Sequence, residues 1–123
     1  MPKLFIIRGL PGSGKTTLAK ELNAMCHYEA DMWFEHSNGG VFDKTKLKAA
    51  HAWCLEMTHN ALANYHDVVV ANTFTRHWEY APYLNLATEY NCQVFVIIAN
   101  GNFKSTHSVP EETIQAMRAR FEY

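Results

Sequence analysis

The segment Gly9-Leu10-Pro11-Gly12-Ser13-Gly14-Lys15-Thr16 fits the spacing G-x-x-x-x-G-K-[ST] and constrains the chain more than any other feature. It follows an apolar run, Leu4-Phe5-Ile6-Ile7, that reads as a buried strand. It precedes a helical pattern with Leu18, Leu22 and Met25 on one face. Strand, glycine loop and helix in that order are the context of a phosphate-binding loop in an α/β fold. A glycine-rich turn without a ligand accounts for Gly12-Ser13-Gly14 but not for Lys15 and Thr16 at fixed places after it. A dinucleotide site is excluded, because the residue three after Gly14 is Thr17 and no G-x-G-x-x-G can be read.

Glycines at 9, 12 and 14 predict backbone conformations closed to other residues, so that N–H groups from Gly12 and Ser13 through Thr17 turn inward around a phosphate. A helix opening near Gly14 adds its positive end. Lys15 then reaches the β- and γ-phosphates of a nucleoside triphosphate, and the Thr16 hydroxyl is the candidate ligand for the magnesium that bridges them. ATP and Mg2+ are the cofactors this predicts.

At 123 residues the chain reads as a single domain over 1–123, large enough for one core and too small for a separate substrate domain. No apolar run approaches the ~20 residues a membrane span needs, so no membrane partner is expected. The first residues show no basic segment, apolar stretch and small-residue cleavage site, which predicts a protein that is not secreted. Cys26, Cys54 and Cys92 are odd in number and form no C-x-x-C pair, as reduced cytosolic thiols would. His51 with Cys54, or with His59, has helical spacing that a metal could use, but further ligands at metal spacing are missing. A net charge of −1 argues against a broad footprint on duplex nucleic acid and leaves room for a small basic site. Lys44, Lys46 and Lys48 read as a solvated face.

Strands and helices alternate along the rest of the chain. Strands are predicted at 3–8, 27–30, about Val68–Ala71 and Val94–Ile98, with helices at about 14–25, 44–64 and 78–90. Asp43 is placed to cap the second helix, whose buried side reads Leu47, Ala50, Cys54, Met57 and Ala61. Ser108-Val109-Pro110-Glu111 is a capping box opening a last helix with Ile114, Met117 and Phe121 inward. This alternation predicts a parallel sheet of about four strands with helices on both faces.

Ligands bind such sheets beyond the carboxyl ends of the strands, which selects residues 9–16, Asp31, Asn72 to Arg76 and Gly101 to His107. Asp31 is read as the base that accepts a hydroxyl proton in phosphoryl transfer, since no other carboxylate ends a predicted strand. A turn-forming Asp or an outer magnesium ligand are the other readings. The third strand ends in Asn72-Thr73, so the usual magnesium-holding Asp is missing and Thr16 with water must do more. Arg76 is read either as a cation for a substrate phosphate or as a surface residue opening a helix. Trp33, Phe34 and Trp78 suit stacking on a base or ordinary packing.

Taken with the loop, the segments Glu29-Ala30-Asp31-Met32-Trp33-Phe34, Ala71-Asn72-Thr73 and Thr106-His107-Ser108-Val109-Pro110 resemble the ordered motifs of phage polynucleotide 5′-hydroxyl kinases. They are similar, too, to those of the NEDD4-binding-protein-like AAA ATP-binding family. The likeness runs nearly the whole length, to Met117-Arg118-Ala119-Arg120-Phe121. It implies a nucleoside-kinase-like P-loop NTPase fold, Asp31 at the position of the catalytic base and Asn72-Thr73 on the substrate side. The family usually has an acidic residue in the Asn72 segment, an Asn at the place of Phe74 and arginines on a longer lid. Here the lid is short, and Lys104 stands near the usual Arg position. The chain therefore reads as a kinase whose site residues are Gly12 to Thr17, Asp31, Arg76 and Lys104. Its expected acceptor is a polynucleotide or nucleotide 5′-hydroxyl, with the 5′ end of a single-stranded nucleic acid as a candidate partner and a small-molecule kinase or a non-catalytic ATP-binding or ATP-hydrolysing module as alternatives.

Overall fold

The apolar run at the N-terminus forms β1 (Lys3–Arg8), and the glycine loop leads from it into α1 (Lys15–Leu22). The computed structural model describes residues 1–101 and 109–123. After α1 come β2 (Cys26–Tyr28), α2 (Ala30–Ser37), α3 (Leu47–Ala63), β3 (Val68–Asn72), α4 (His77–Glu89), β4 (Gln93–Ile98) and α5 (Glu111–Arg120). The strands form one four-stranded sheet in the order β2-β3-β1-β4. β1 pairs in parallel with both β3 and β4, and β2 pairs in parallel with β3. All carboxyl ends therefore share one edge, and the parallel four-stranded α/β sheet is the one the alternation predicts.

Strand periodicity sorts the core onto two faces. Leu4, Ile6, Val68 and Val70 pack with Cys54 and Leu62 of α3 and with Tyr83 and Ala87 of α4. The intervening residues Ile7, Val69 and Ala71 pack with Ala19 of α1 on the opposite face. β3 is buried along its whole length, which is why it reads as a continuous Val run rather than an alternating one.

Element boundaries depart from the sequence reading in ways that bear on the site. The second strand is Cys26–Tyr28 rather than 27–30, so α2 starts at Ala30 and Asp31 lies in its first turn. α1 stops at Leu22, because Asn23 turns left-handed at φ 51, and Met25 is 72% exposed instead of facing the core. The long helix opens with a 3₁₀ turn at Lys44–Lys46, capped by Asp43, whose Oδ1 accepts from the Thr45 N–H at 3.0 Å. Ala50, Cys54 and Ala61 are buried as expected, joined by Thr58 and Leu62, while Leu47 and Met57 are half-buried. Lys44, Lys46 and Lys48 are exposed. On α5, Ile114 and Met117, with Phe121 just beyond, are half-buried, and Ser108 of the expected capping box lies outside the described residues. Among the described residues no helix is long and apolar enough to cross a membrane.

Phe74 occupies the position where the resemblance leads one to expect Asn. Its φ is 42, in the left-handed region that Asn tolerates and Phe does not favour. The buried ring compensates, lying 5.5 Å from Tyr83 and 5.9 Å from Tyr80 by centroids.

Candidate active site

The loop after β1 is built from backbone. Gly12 and Gly14 have φ of 80 and 90, and Gly14 caps α1 without a side chain. The first intrahelical bond is Leu18 N–H to Gly14 carbonyl at 3.0 Å, so the N–H groups of Lys15, Thr16 and Thr17 precede the helix ladder. Gly9 is required for a different reason from the other two: a Cβ on it would lie 2.4 Å from Ser13 Oγ and 2.7 Å from the Ala99 carbonyl oxygen. The loop is tied down on both sides, Gly9 N–H to Thr73 carbonyl at 3.2 Å and Gly101 N–H to Ser13 carbonyl at 3.0 Å.

Lys15 folds back over the loop, with Nζ donating to the Leu10 carbonyl at 3.1 Å. Burial pushes its pKa below the usual lysine value, and the nearby carboxylates of Glu29 and Asp31 oppose that shift. Toward β4, a cavity of about 360 Å³ opens between α1 and the end of the strand, lined by Ser13, Thr17, Glu21, Ala99, Asn100 and Gly101.

Toward β2 the construction changes to side chains. The Thr16 hydroxyl donates to Glu29 Oε1 at 3.0 Å, and Glu29 Oε2 lies 2.6 Å from His27 Nε2. Glu29 is only 7% exposed and directly follows β2. This corrects the reading that Asp31 alone among carboxylates ends a strand; the misplaced strand boundary concealed Glu29. Asp31 is half-buried two residues further on. Asn72, at the end of β3, accepts from the Ala30 N–H at 2.9 Å and so pins the start of α2 beside β3.

His51, on α3, joins the same region. The residue is exposed overall, yet partial burial of its ring lowers the imidazole pKa while Glu79 and Asp31 act to raise it, so His51 lies within electrostatic reach of groups on α2 and α4. Its pairing with Cys54 as a metal site finds no support. Cys54 is buried, its thiol pKa is raised by burial, and Asn72 Nδ2 donates to its sulfur at 3.7 Å. Among the described residues no group of three or more His, Cys, Asp or Glu side chains is placed to hold a metal.

Arg8, which the sequence reading passed over, is a clamp under this side. Its guanidinium, in a residue 1% exposed, donates to the carbonyls of Phe74 at 2.9 Å and Thr75 at 3.4 Å and to that of Glu122. It also stacks on Tyr80 and Phe121 at 4.7 and 4.6 Å. Arg76 follows as the exposed residue opening α4, its N–H held by Glu79 Oε1 at 2.8 Å. Phe34 is core, Trp33 meets it edge-on at 5.1 Å and Trp78 is 73% exposed. Lys104 lies outside the described residues.

A parallel sheet with a glycine loop and lysine after its first strand, and carboxylates after its second, defines a kinase-like phosphate-loop domain. Residues 4–123 match the AAA domain family, and the chain belongs to it. Human NEDD4-binding protein 2 is 30% identical over 96 residues, which is 74% of this chain and 5% of that protein. The chain thus spans a small part of that relative. The Pnkp1/Rnl/Hen1 RNA repair complex contains a chain with TM-score 0.75 and 18% identity, covering 97% of this chain and 43% of that one. The APS kinase CysC of Mycobacterium tuberculosis, in complex with AMPPNP and APS, has TM-score 0.62 and 15% identity over 94% of this chain and 67% of that one.

Proposed function

We propose that this chain is an ATP-dependent kinase that transfers the γ-phosphoryl group to a hydroxyl, with a polynucleotide or nucleotide 5′-hydroxyl first among acceptors. One observation carries the reading. The cavity at residues Ala99 to Gly101 and the carboxylate Asp31 flank the same loop from opposite ends of the sheet, beyond β4 and beyond β2. A nucleoside seated in the cavity directs its phosphates along the loop and over Lys15, and its γ-phosphorus then faces Asp31.

The chemistry follows from those positions. Asp31 takes the proton of the acceptor hydroxyl while the acceptor oxygen bonds to the γ-phosphorus. The bond from that phosphorus to the β–γ bridging oxygen breaks, and ADP leaves. Lys15, desolvated and resting on a carbonyl, gains an anionic partner when it turns to the β- and γ-phosphates. The loop N–H groups of Gly12 to Thr17 hold the remaining oxygens. Thr16 offers a hard oxygen ligand that fits magnesium, whose contribution when bound is to neutralise charge on the β- and γ-phosphates. Arg76 binds a phosphate of the acceptor, and Lys104 is the lid cation.

Labelled ATP incubated with a panel of 5′-hydroxyl oligonucleotides, nucleosides, sugars and small alcohols tests the assignment. Transfer to the oligonucleotides is the expected result. Transfer only to a sugar or small alcohol moves the chain to the small-molecule kinases. ADP release that no hydroxyl accelerates makes it an ATP-hydrolysing module that regulates a partner.

A further inference from the structure

The geometry points to Glu29 as the carboxylate that this chain directs at the nucleotide's magnesium, delivered from β2 in place of one at the end of β3. The inference rests on the kinase reading and concerns how the metal is held. Phosphate-loop NTPases hold magnesium between the loop Ser/Thr and an Asp from a neighbouring strand. β3 here carries Ala71 and Asn72 where that Asp would be sought. Ala71 packs in the same cluster as Ala19, three residues beyond Thr16, so position 71 faces the helix that bears Thr16 and offers it only a methyl. Asn72 is engaged elsewhere, with the Ala30 N–H and the Cys54 sulfur.

The register shows what takes over. Tyr28 of β2 lies opposite Val70 of β3, so Glu29 comes next, level with Ala71. Glu is the longer carboxylate, in keeping with delivery from a strand one place further from β1. Its Oε1 accepts the Thr16 hydroxyl proton at 3.0 Å. A hydroxyl has one proton and two lone pairs, and donating that proton to Glu29 leaves both lone pairs available to an ion. His27 Nε2, 2.6 Å from Oε2, fixes the second carboxylate oxygen. A carboxylate this buried is costly unless cations face it. Lys15 and His27 face it on the protein's side, and a bound metal would add to them.

Calorimetry of ATP binding with magnesium and with EDTA separates the metal's contribution from the nucleotide's own. Glu29→Gln keeps the shape of the side chain and is expected to bind metal-free ATP within about 2-fold of the parent. It should lose on the order of 10–100-fold of the magnesium-dependent gain in affinity, the scale for residues that orient a metal ligand. Adding Ala71→Asp, which returns a carboxylate to β3, should recover part of that gain. The apparent manganese affinity of the ATP complex, read by paramagnetic resonance, should move in parallel. A folded Glu29→Gln with the full magnesium gain overturns the inference. If Glu29→Gln does not fold, Glu29→Asp decides: a reduced gain supports the inference, and an intact one overturns it. A parent protein that binds no ATP ends the kinase reading, whereas ATP binding that ignores Glu29 ends only this proposal.

Discussion

The two sides of the loop are made of different materials. Toward β4 the site is backbone: left-handed glycines, ladder-free N–H groups at the start of α1, and Gly9 wedged between Ser13 and the Ala99 carbonyl. Toward β2 it is side chain: Thr16 on Glu29, Glu29 on His27, Asn72 on the start of α2, and His51 in the field of Asp31 and Glu79. A backbone cradle must space its glycines rigidly, so it leaves a signature in sequence. A side-chain assembly drawn from six elements, α1, β2, α2, α3, β3 and α4, leaves none, because topology rather than spacing brings its members together. The cradle suits a ligand common to many enzymes, the phosphate chain. The assembly suits whatever differs between them, the acceptor and the way its proton is taken.

The sharpest way to break this comparison is at Asp31. Asp31→Asn removes the proposed proton acceptor while leaving the cradle untouched, so ATP affinity should stay near that of the parent. The transfer rate is expected to fall by about 10²–10⁴-fold, the scale of a positioned general base. Rate per bound complex, measured in single turnover, checks it. Lost ATP affinity with turnover preserved would make Asp31 a metal-shell residue and put it on the nucleotide side of the divide.

Lys15→Ala is the next largest. Lys15 is the charged side chain of the cradle, and if it meets the phosphates as proposed, losing that charge-assisted contact costs about 1.5–3 kcal/mol, or roughly 10–100-fold in affinity. Thermal stability should not fall with it, because Lys15 meets a desolvation penalty that Ala does not. Calorimetry and a melting curve on the same sample test both halves.

How much of each side could be read beforehand follows the same division. The glycine spacing, the flanking strand and helix, and the alternation that winds the sheet were all legible, since each is a local pattern. Gly9 was legible as necessary but for the wrong reason: its demand is steric, made by Ala99 from the far end of β4. Glu29 was hidden because a three-residue strand has too few positions to show alternation, and a small error in its boundary moves the carboxylate from strand to turn. Arg8 was unreadable. Its partners lie 66 to 114 residues away, and a strand-terminal Arg carries no mark of being buried on carbonyls and rings. Phe74 shows the converse, a local misfit at φ 42 that tertiary packing of its ring overrides.

Gly9→Ala sharpens the backbone half with a smaller effect. Ser13 Oγ can rotate away from the new methyl, but the Ala99 carbonyl belongs to the sheet edge and must be displaced. Overpacking of this kind costs about 1–3 kcal/mol, and here the loop that moves is the cradle itself. Stability and ATP affinity should therefore decline together, unlike the selective loss at Lys15. An unchanged melting temperature would mean that the cradle is softer than its hydrogen bonds imply.

The smallest effect is expected at Arg76, where the acceptor side reaches solvent. Its N–H is fixed by Glu79 and its guanidinium is exposed, so Arg76→Ala removes little that holds the fold. If the guanidinium meets an acceptor phosphate, the acceptor Michaelis constant should rise about 3–10-fold while the ATP constant stays within about 2-fold, as for one solvent-screened charge contact. The salt dependence of oligonucleotide binding should become shallower by about 0.7 in log–log slope, one phosphate's share on a single strand. A chain with a net charge of −1 can make few such contacts, so losing one would be a measurable fraction of the whole. An unchanged salt slope with a raised ATP constant would transfer Arg76 from the acceptor to the nucleotide, and the division between backbone cradle and side-chain assembly would no longer coincide with the division between donor and acceptor.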